Sequence, residues 1–360
     1  MNDFQAQAIR HMYRTDPSSF FDLAFRILHP GVDYEPHWST KVLSDALARC
    51  CRGEIKRLIV NMPPRTLKSI CASVALPAWL LAVRPQTKIL CVAGHRGLAD
   101  DHHALTLNLM SDPKYRALFP HVRFSTTASK ISLPHGGYRL ASTPTGALTG
   151  RGADLIIIDD PQRPDETDDP QKSSAIRRWY DRNIYQRLDE KASGVVILVM
   201  QRLAHDDFTA HVLSRGDWEL IKLPAVAEED ERFPNVFGDR LIRKKREALN
   251  PTREGIPQLR EAARQMGALA FRAQYQQRPY PPGQGGDRGG TFYYVHHPDA
   301  TPEECKYNKW FVSLIPEELF LFEDVFGDFC GIRPGTPPDM TVEEWVEWCR
   351  RSQEERDAAR

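Results

Sequence analysis

At 360 residues the chain has room for one substantial core and a second, smaller unit. Its 48 Lys plus Arg are matched by 48 Asp plus Glu, so no overall positive charge advertises nucleic acid, and any such contact must use local patches. No apolar run approaches the roughly 20 residues that span a bilayer. The opening Met1-Asn-Asp-Phe-Gln5 lacks the order of a secretory leader, which points to a soluble, intracellular chain without membrane contact. The seven cysteines form an odd set with no C-x-x-C pair, as suits a reducing cytosol. His102 and His103 have no second pair at ligand spacing, so no structural zinc is expected.

Residues 1–50 read as a helical segment, with Phe20, Phe21, Ala24, Phe25 and Leu28 recurring at helical spacing and Val42, Leu43, Ala46 and Leu47 doing so again. Four short, strongly apolar runs follow, at 57–60, 88–93, 154–158 and 195–200. They are too apolar to alternate and so predict buried parallel strands. Helical stretches lie between them, at Ser69–Leu81 and Leu98–Met110, giving the β-α-β-α order of a doubly wound α/β sheet with ligands at the strand carboxyl ends. The segment Ile242–Tyr275 reads as helical and basic at its start. Beyond it, Arg278-Pro-Tyr-Pro-Pro-Gly-Gln-Gly-Gly286 breaks regular structure, so 51–278 is expected as one domain, 279–290 as a linker and 291–360 as a short appendage. The appendage lacks apolar strands on which to mount a metal cluster, although Glu323, Asp324 and Asp328 are present. It ends in an amphipathic helix where Thr341 and Glu344 fit a capping box.

The first strand runs into Asn61-Met-Pro-Pro-Arg-Thr-Leu-Lys-Ser69 and then a helix, which is where a phosphate-binding loop belongs. In such loops backbone N–H groups and the helix start hold phosphates, the lysine reaches the β- and γ-phosphates, and the hydroxyl holds Mg²⁺. The standard pattern has glycine where this chain has Met62 and Leu67. A side chain at positive φ costs about 1–2 kcal/mol, so the loop is expected to take a different path, stiffened by Pro63 and Pro64. Further on, the strand Leu155–Ile158 ends in Asp159 and Asp160, delivering two carboxylates to the sheet's ligand edge, one to hold the metal and one to orient water. A loop rich in glycine and hydroxyls, Ser142–Gly152, precedes that strand. The basic run Arg240, Arg243, Lys244, Lys245 and Arg246 reads either as a phosphate-contact patch or, more ordinarily, as a solvated helix face.

Met62–Ser69, Leu148–Pro161 and Val199–Asp207 together resemble the large terminase subunits of tailed phages, supported by Tyr34–Trp38, Tyr115–Pro120 and Phe271–Pro279. The resemblance covers roughly residues 15–285. It implies a P-loop NTPase that hydrolyses ATP with Mg²⁺ to drive double-stranded DNA through a portal into a procapsid. Pro64, Arg65, Thr66, Leu67, Lys68 and Ser69 would cradle phosphate, with Ser69 and Asp159 on Mg²⁺. Asp160 would stand where the family usually has a glutamate, and Arg65 would stabilise charge building on the γ-phosphate. Gln201 and Arg202 would couple hydrolysis to movement, and His37 and Trp38 would meet the adenine. The implied partners are DNA gripped through its backbone, the portal, a small terminase subunit, a separate nuclease chain and further copies in a ring. The implied place is the host bacterial cytoplasm and, transiently, the procapsid. Family members normally carry a nuclease after the ATPase, for which about 70 residues leave no room. A split gene product or an inactive prophage remnant is therefore the expectation, with a helicase-like translocase as the rival.

Overall fold

The computed structural model describes residues 3–146, 150–167 and 169–279, and the strands 289–295, 309–313, 320–323 and 329–333. Its contacts divide the chain into two compact units. The first holds residues up to 201 with 206–222 and 233–238; the second holds 202–205, 223–232 and the residues from 239 on.

The first unit opens with α1 (Asp3–Thr15), α2 (Pro17–Leu28) and α3 (Trp38–Arg52). Asp16 caps α2 by accepting from the Ser18 and Ser19 N–H groups, each at 3.0 Å, and Gly53 closes α3 at φ 80°, a turn that a side chain would strain. Then come β1 (Arg57–Asn61), a π-helical turn (Ile70–Ala75) running into α4 (Leu76–Val83), β2 (Lys88–Ala93), α5 (Arg96–Ser111) and α6 (Pro113–Leu118). They are followed by β3 (Ser125–Thr126), β4 (Lys130–Ser132), β5 (Tyr138–Ser142), β6 (Leu155–Asp159), α7 (Pro164–Thr167), α8 (Pro170–Arg187), β7 (Val195–Met200), α9 (Phe208–Leu213) and β8 (Glu219–Lys222).

The strands form one sheet in the order β3-β4-β5-β2-β6-β7-β1-β8. From β5 to β8 every pairing is parallel, while β3 and β4 add an antiparallel edge. This is a doubly wound, mainly parallel α/β sheet flanked by helices. All four runs read as strands are there, and all four are central. Leu58, Ile59, Val60, Ile156, Ile157, Ile158, Ile197 and Leu198 are fully buried, each worth about 1.5–3 kcal/mol of apolar burial. The sequence reading missed β5 and β8, whose polar and charged residues (Tyr138-Arg-Leu-Ala-Ser142, Glu219-Leu-Ile-Lys222) disguise them.

The second unit contains β9 (Glu231–Arg232) and, after α10 (Pro234–Phe237) of the first unit, β10 (Leu241–Arg243). The helices α11 (Ile256–Met266) and α12 (Ala268–Gln274) follow. Val226, Leu259, Ala263 and Phe271 make its core. Gln276 is buried there, its amide accepting from the Val226 N–H at 2.8 Å and donating to the Val226 carbonyl at 2.9 Å. The expected continuous helix over Ile242–Tyr275 is corrected: its first part is β10 and turns, because Asn250, Pro251 and Gly255 end regular structure before α11. The basic run is accordingly not a helix face: Arg240, Lys244, Lys245 and Arg246 are exposed on β10 and the turns around it, while Arg243 is turned inward. Arg243 is 2% exposed and pairs with Glu231 at 2.7 Å.

The absence of strands after 290 is also corrected. β11 (Gly289–Val295), β12 (Lys309–Ser313), β13 (Phe320–Glu323) and β14 (Phe329–Arg333) form an antiparallel sheet in the order β12-β11-β14-β13. Their density of aromatic and β-branched residues favours a pleated surface. Most of the Pro/Gly stretch 280–288, Asp324, Asp328 and the expected terminal helix at Thr341–Trp348 lie outside the described residues. No helix among the described residues is long and apolar enough to cross a membrane.

Candidate functional site

Sheet order decides where the chemistry can gather. β1 and β6 both flank β7, with Asn61 opposite Met200 and Asp159 opposite Val199, so the carboxyl ends of three adjacent strands lie side by side. The Asn61 amide donates to the Met200 carbonyl at 3.1 Å and to Thr209 Oγ1 at 3.3 Å, tying the end of β1 to that of β7 and to α9. In parallel α/β sheets this edge is the ligand edge.

The loop after β1 returns to the sheet through two left-handed residues, Arg65 at φ 58° and Leu67 at φ 65°. The expected detour around positive φ at Leu67 is therefore corrected. The loop accepts the strain of about 1–2 kcal/mol because local bonds over-determine its path. Thr66 Oγ1 donates to the Pro63 carbonyl at 2.8 Å, and the Leu67 carbonyl receives the Cys71 N–H at 2.9 Å, starting the helix. Pro63 is buried, Pro64, Thr66 and Leu67 are half-buried, and Arg65 is exposed at the tip.

Lys68 turns inward: its side chain is 7% exposed and its Nζ lies 4.0 Å from Asp160 Oδ2. Ser69 Oγ donates to Asp159 Oδ1 at 2.9 Å, and Ser73, one turn on, donates to Asp159 Oδ2. The carboxylate is thus held at both oxygens by hydroxyls of one helix start. Asp160 stands at φ 41°, its N–H given to the Val199 carbonyl at 2.9 Å, and the Gln201 main-chain N–H donates to its carboxylate. Gly94, at the end of β2, makes this turn possible, since a Cβ there would collide with the Asp160 carbonyl. Burial pushes both aspartates above the ordinary carboxylate range. The Ser73 hydroxyl, the Lys68 charge and the Ser69 hydroxyl oppose this at Asp159, and chiefly the Lys68 charge opposes it at Asp160.

Two further residues sit behind the aspartates. His102 Nδ1 is 3.7 Å from Asp159 Oδ2; burial and the Arg139 charge push its pKa down to about 4, so it is neutral at pH 7. Arg139 on β5 is fully buried and donates through Nη2 to the Ser73 carbonyl at 3.0 Å, while its Nε and Nη1 find no partner among the described residues. Its positive charge works to lower Asp159. Two cations, Lys68 and Arg139, thus face two acids, Asp159 buried and Asp160 half-buried. Sequence reading missed Ser73, His102 and Arg139. The signals were a serine one turn beyond Ser69, a histidine on the apolar face of α5 with Ala99 and Thr106, and a lone charge in a short strand.

The remaining expected residues are placed as follows. Gln201 is half-buried and its Oε1 has no partner among the described residues. Arg202 belongs to the second unit, where its N–H donates to Gln277 Oε1 at 2.8 Å and its guanidinium to the Ala204 and His205 carbonyls at 3.1 and 3.0 Å. Asp207 caps α9, accepting from the Ala210 N–H at 3.1 Å. His37 caps α3, and Trp38 stacks on Phe233 with ring centroids 5.2 Å apart. Ser142 ends β5, and the loop beyond it turns at Thr143–Gly146 before residues outside the described set.

No family model matches the chain, and no curated protein does. In fold the chain is similar to phage large terminases. Against the bacteriophage HK97 large terminase the identity is 16% over 78% of this chain and 61% of that one, with a TM-score of 0.44. Against the large terminase ATPase domain of a Thermus phage it is 14% over 71% and 97%, with a TM-score of 0.46. The chain spans about three fifths of the HK97 protein's length.

Proposed function

We propose that this chain is an ATP hydrolase of the DNA-packaging motor kind, with Lys68, Ser69, Asp159 and Asp160 as its working centre. The observation that carries the reading is the 2.9 Å approach of Ser69 to Asp159, with Lys68 inward beside Asp160. Residues 90 apart in sequence (159 minus 69) thus converge at one edge of a buried sheet. A surface helix that began at Lys68 by accident would not bury its ammonium against a strand-end carboxylate.

The donor set fits Mg²⁺: a hydroxyl and a carboxylate are hard oxygen ligands, and both point to one place. Ser69 and Asp159 would hold the ion, which would supply neutralisation of the phosphate charge when bound. Lys68 supplies a fixed positive charge to the phosphates, and the Pro64–Ser69 backbone supplies N–H donors at a helix start. Asp160 is the more open acid, its carboxylate steadied by the Gln201 N–H. It accepts a hydrogen bond from the attacking water and takes its proton at a carboxylate oxygen as the γ-phosphoryl group is transferred. Arg65, exposed at the loop tip, would meet the γ-phosphate side, and the unpaired Gln201 Oε1 would accept from the same water. The assignment does not extend to His37 and Trp38, which are engaged in capping and stacking.

The specific activity, DNA movement into a procapsid, the portal and ring partners, and a setting in the host cytoplasm are part of this proposal. A second reading, a catalytically silent subunit, is favoured by the strained Leu67 and by aspartate at position 160. Steady-state ATP turnover of the purified chain, with and without duplex DNA, decides between them. Turnover abolished by Lys68→Ala is expected, and turnover absent from the wild type, or unmoved by Lys68→Ala, rejects the motor.

A further inference from the structure

Helix α8 carries five basic residues, Lys172, Arg177, Arg178, Arg182 and Arg187, against one acid, Asp181, in a chain of zero formal charge. The acids around it are taken. Asp181 pairs with His211 and Arg215, both at 3.0 Å, and Asp206 pairs with Arg177 at 3.2 Å. Arg178 and Arg182 are exposed, and neither has a carboxylate partner among the described residues. They stand four residues apart on one face, a like-charge spacing that weakens an isolated helix. A helix whose outer face served only to be solvated would gain from an acid at that spacing, and here an arginine occupies it. The same face carries Tyr185, 57% exposed, with the Lys191 ammonium 5.7 Å from its ring centre, and exposed Lys172 lies one to two turns nearer the helix start.

We infer that the outer face of α8 binds the phosphate backbone of double-stranded nucleic acid. Arginine forks suit phosphate oxygens. A membrane surface would need an apolar face beside the cations, and the face offers a single tyrosine. A single strand would need successive aromatic platforms, and there is only that one ring. An anion on Arg178 and Arg182 also relieves their mutual repulsion.

The helix is coupled to the acids of the site. It begins ten residues after Asp160 (170 minus 160). Gln162, two residues past Asp160 and buried, donates to Ser173 Oγ in the first turn of α8 at 2.8 Å. A load on the arginine face therefore bears on the turn that holds Asp160. This coupling, unlike the binding surface, rests on the hydrolase reading.

The test uses the full chain and a fluorescent duplex of mixed sequence, with binding followed by anisotropy over a range of salt. Replacing both arginines, Arg178→Gln with Arg182→Gln, is expected to weaken binding roughly tenfold or more and to reduce the slope of log affinity against log salt by about 2. DNA-free ATP turnover and thermal melting should stay at the wild-type level. Unchanged affinity and slope overturn the surface. Tighter binding of a single strand, or of phosphatidylserine vesicles, overturns the partner. Ser173→Ala should leave duplex binding intact and remove stimulation of turnover by DNA; retained stimulation overturns the coupling. A wild type that binds duplex through these arginines without hydrolysing ATP keeps the surface and rejects the hydrolase, so the two failures are distinct.

Discussion

Asp159 and Asp160 are neighbours in the chain and occupy opposite kinds of place. The Asp159 side chain is 2% exposed and gripped at both oxygens by Ser69 and Ser73, with His102 behind it. The Asp160 side chain is 33% exposed, faces Lys68, and takes its direction from a left-handed backbone. The strand ends at Asp159 and the left-handed turn at Asp160 redirects the next side chain, so one residue step separates a sealed acid, held at both oxygens, from an open one. A carboxylate already satisfied at both oxygens makes a good anchor and a poor base. A carboxylate with one charged neighbour and access to water makes a good base.

That contrast is broken most directly at the two acids themselves. Asp160→Asn should lower kcat by about 100- to 10,000-fold, the usual scale for a general base, with little change in KM. Asp159→Asn should instead raise the Mg²⁺ concentration needed for half-maximal turnover. Steady-state kinetics over a magnesium series reads both, and identical responses of the two variants would erase the division of roles. Gly94→Ala probes the open side without touching a carboxylate. The added methyl collides with the Asp160 carbonyl, so kcat should fall at least roughly tenfold, as misplacement of a catalytic group does. A variant with wild-type kcat would mean that the Asp160 turn is not what sets its aim.

How much of this was legible in sequence follows from what each residue is asked to do. The four central strands were legible because burial on both faces demands continuous apolar runs, and Val195–Met200 can be little else. Lys68, Ser69, Asp159 and Asp160 were legible because a strand-loop-helix and an acid at a strand end are local patterns, even with leucine in place of the loop glycine. Ser73, His102 and Arg139 were not, since their meaning is tertiary. Nothing near Arg139 in the chain announces that β5 lays its guanidinium against the Ser73 carbonyl. In the basic run at 240–246 one residue was illegible for the converse reason: composition shows that charges are adjacent but not that Glu231 lies opposite Arg243 and pairs with it, while its four neighbours stay exposed. The charges of α8 passed unremarked because their import lies in what their neighbours are already doing.

The sealed side is probed by Ser73→Ala. It removes a hydroxyl donated to a buried carboxylate, and a hydrogen bond to a charged group contributes about 1.5–3 kcal/mol. Chemical denaturation should show a loss of about 2 kcal/mol, with kcat reduced less than in Asp160→Asn. No loss of stability would mean that Ser69 alone suffices to hold Asp159.

The smallest effect is expected from His103, next to His102 on the same helix. Its Nε2 donates to the Thr127 carbonyl at 3.0 Å, and burial, with the Arg139 charge, lowers its pKa below the ordinary histidine value, against the Thr127 bond, which favours the charged ring. A histidine depressed in the folded state contributes stability that is present above its unfolded pKa and is lost as pH falls through the folded one. The window therefore opens at about pH 6.5 and extends downward, where the unfolded chain takes up a proton that the folded chain resists. Melting temperatures of the wild type should fall through that window. His103→Gln keeps a donor for Thr127 and cannot be protonated, so its melting temperature should fall less steeply there while matching the wild type more closely near pH 8. Parallel curves for the two proteins would show that the Arg139 field and the burial of α5 do not lower this ring's pKa, and would weaken the case for sealed, charge-balanced surroundings behind Asp159.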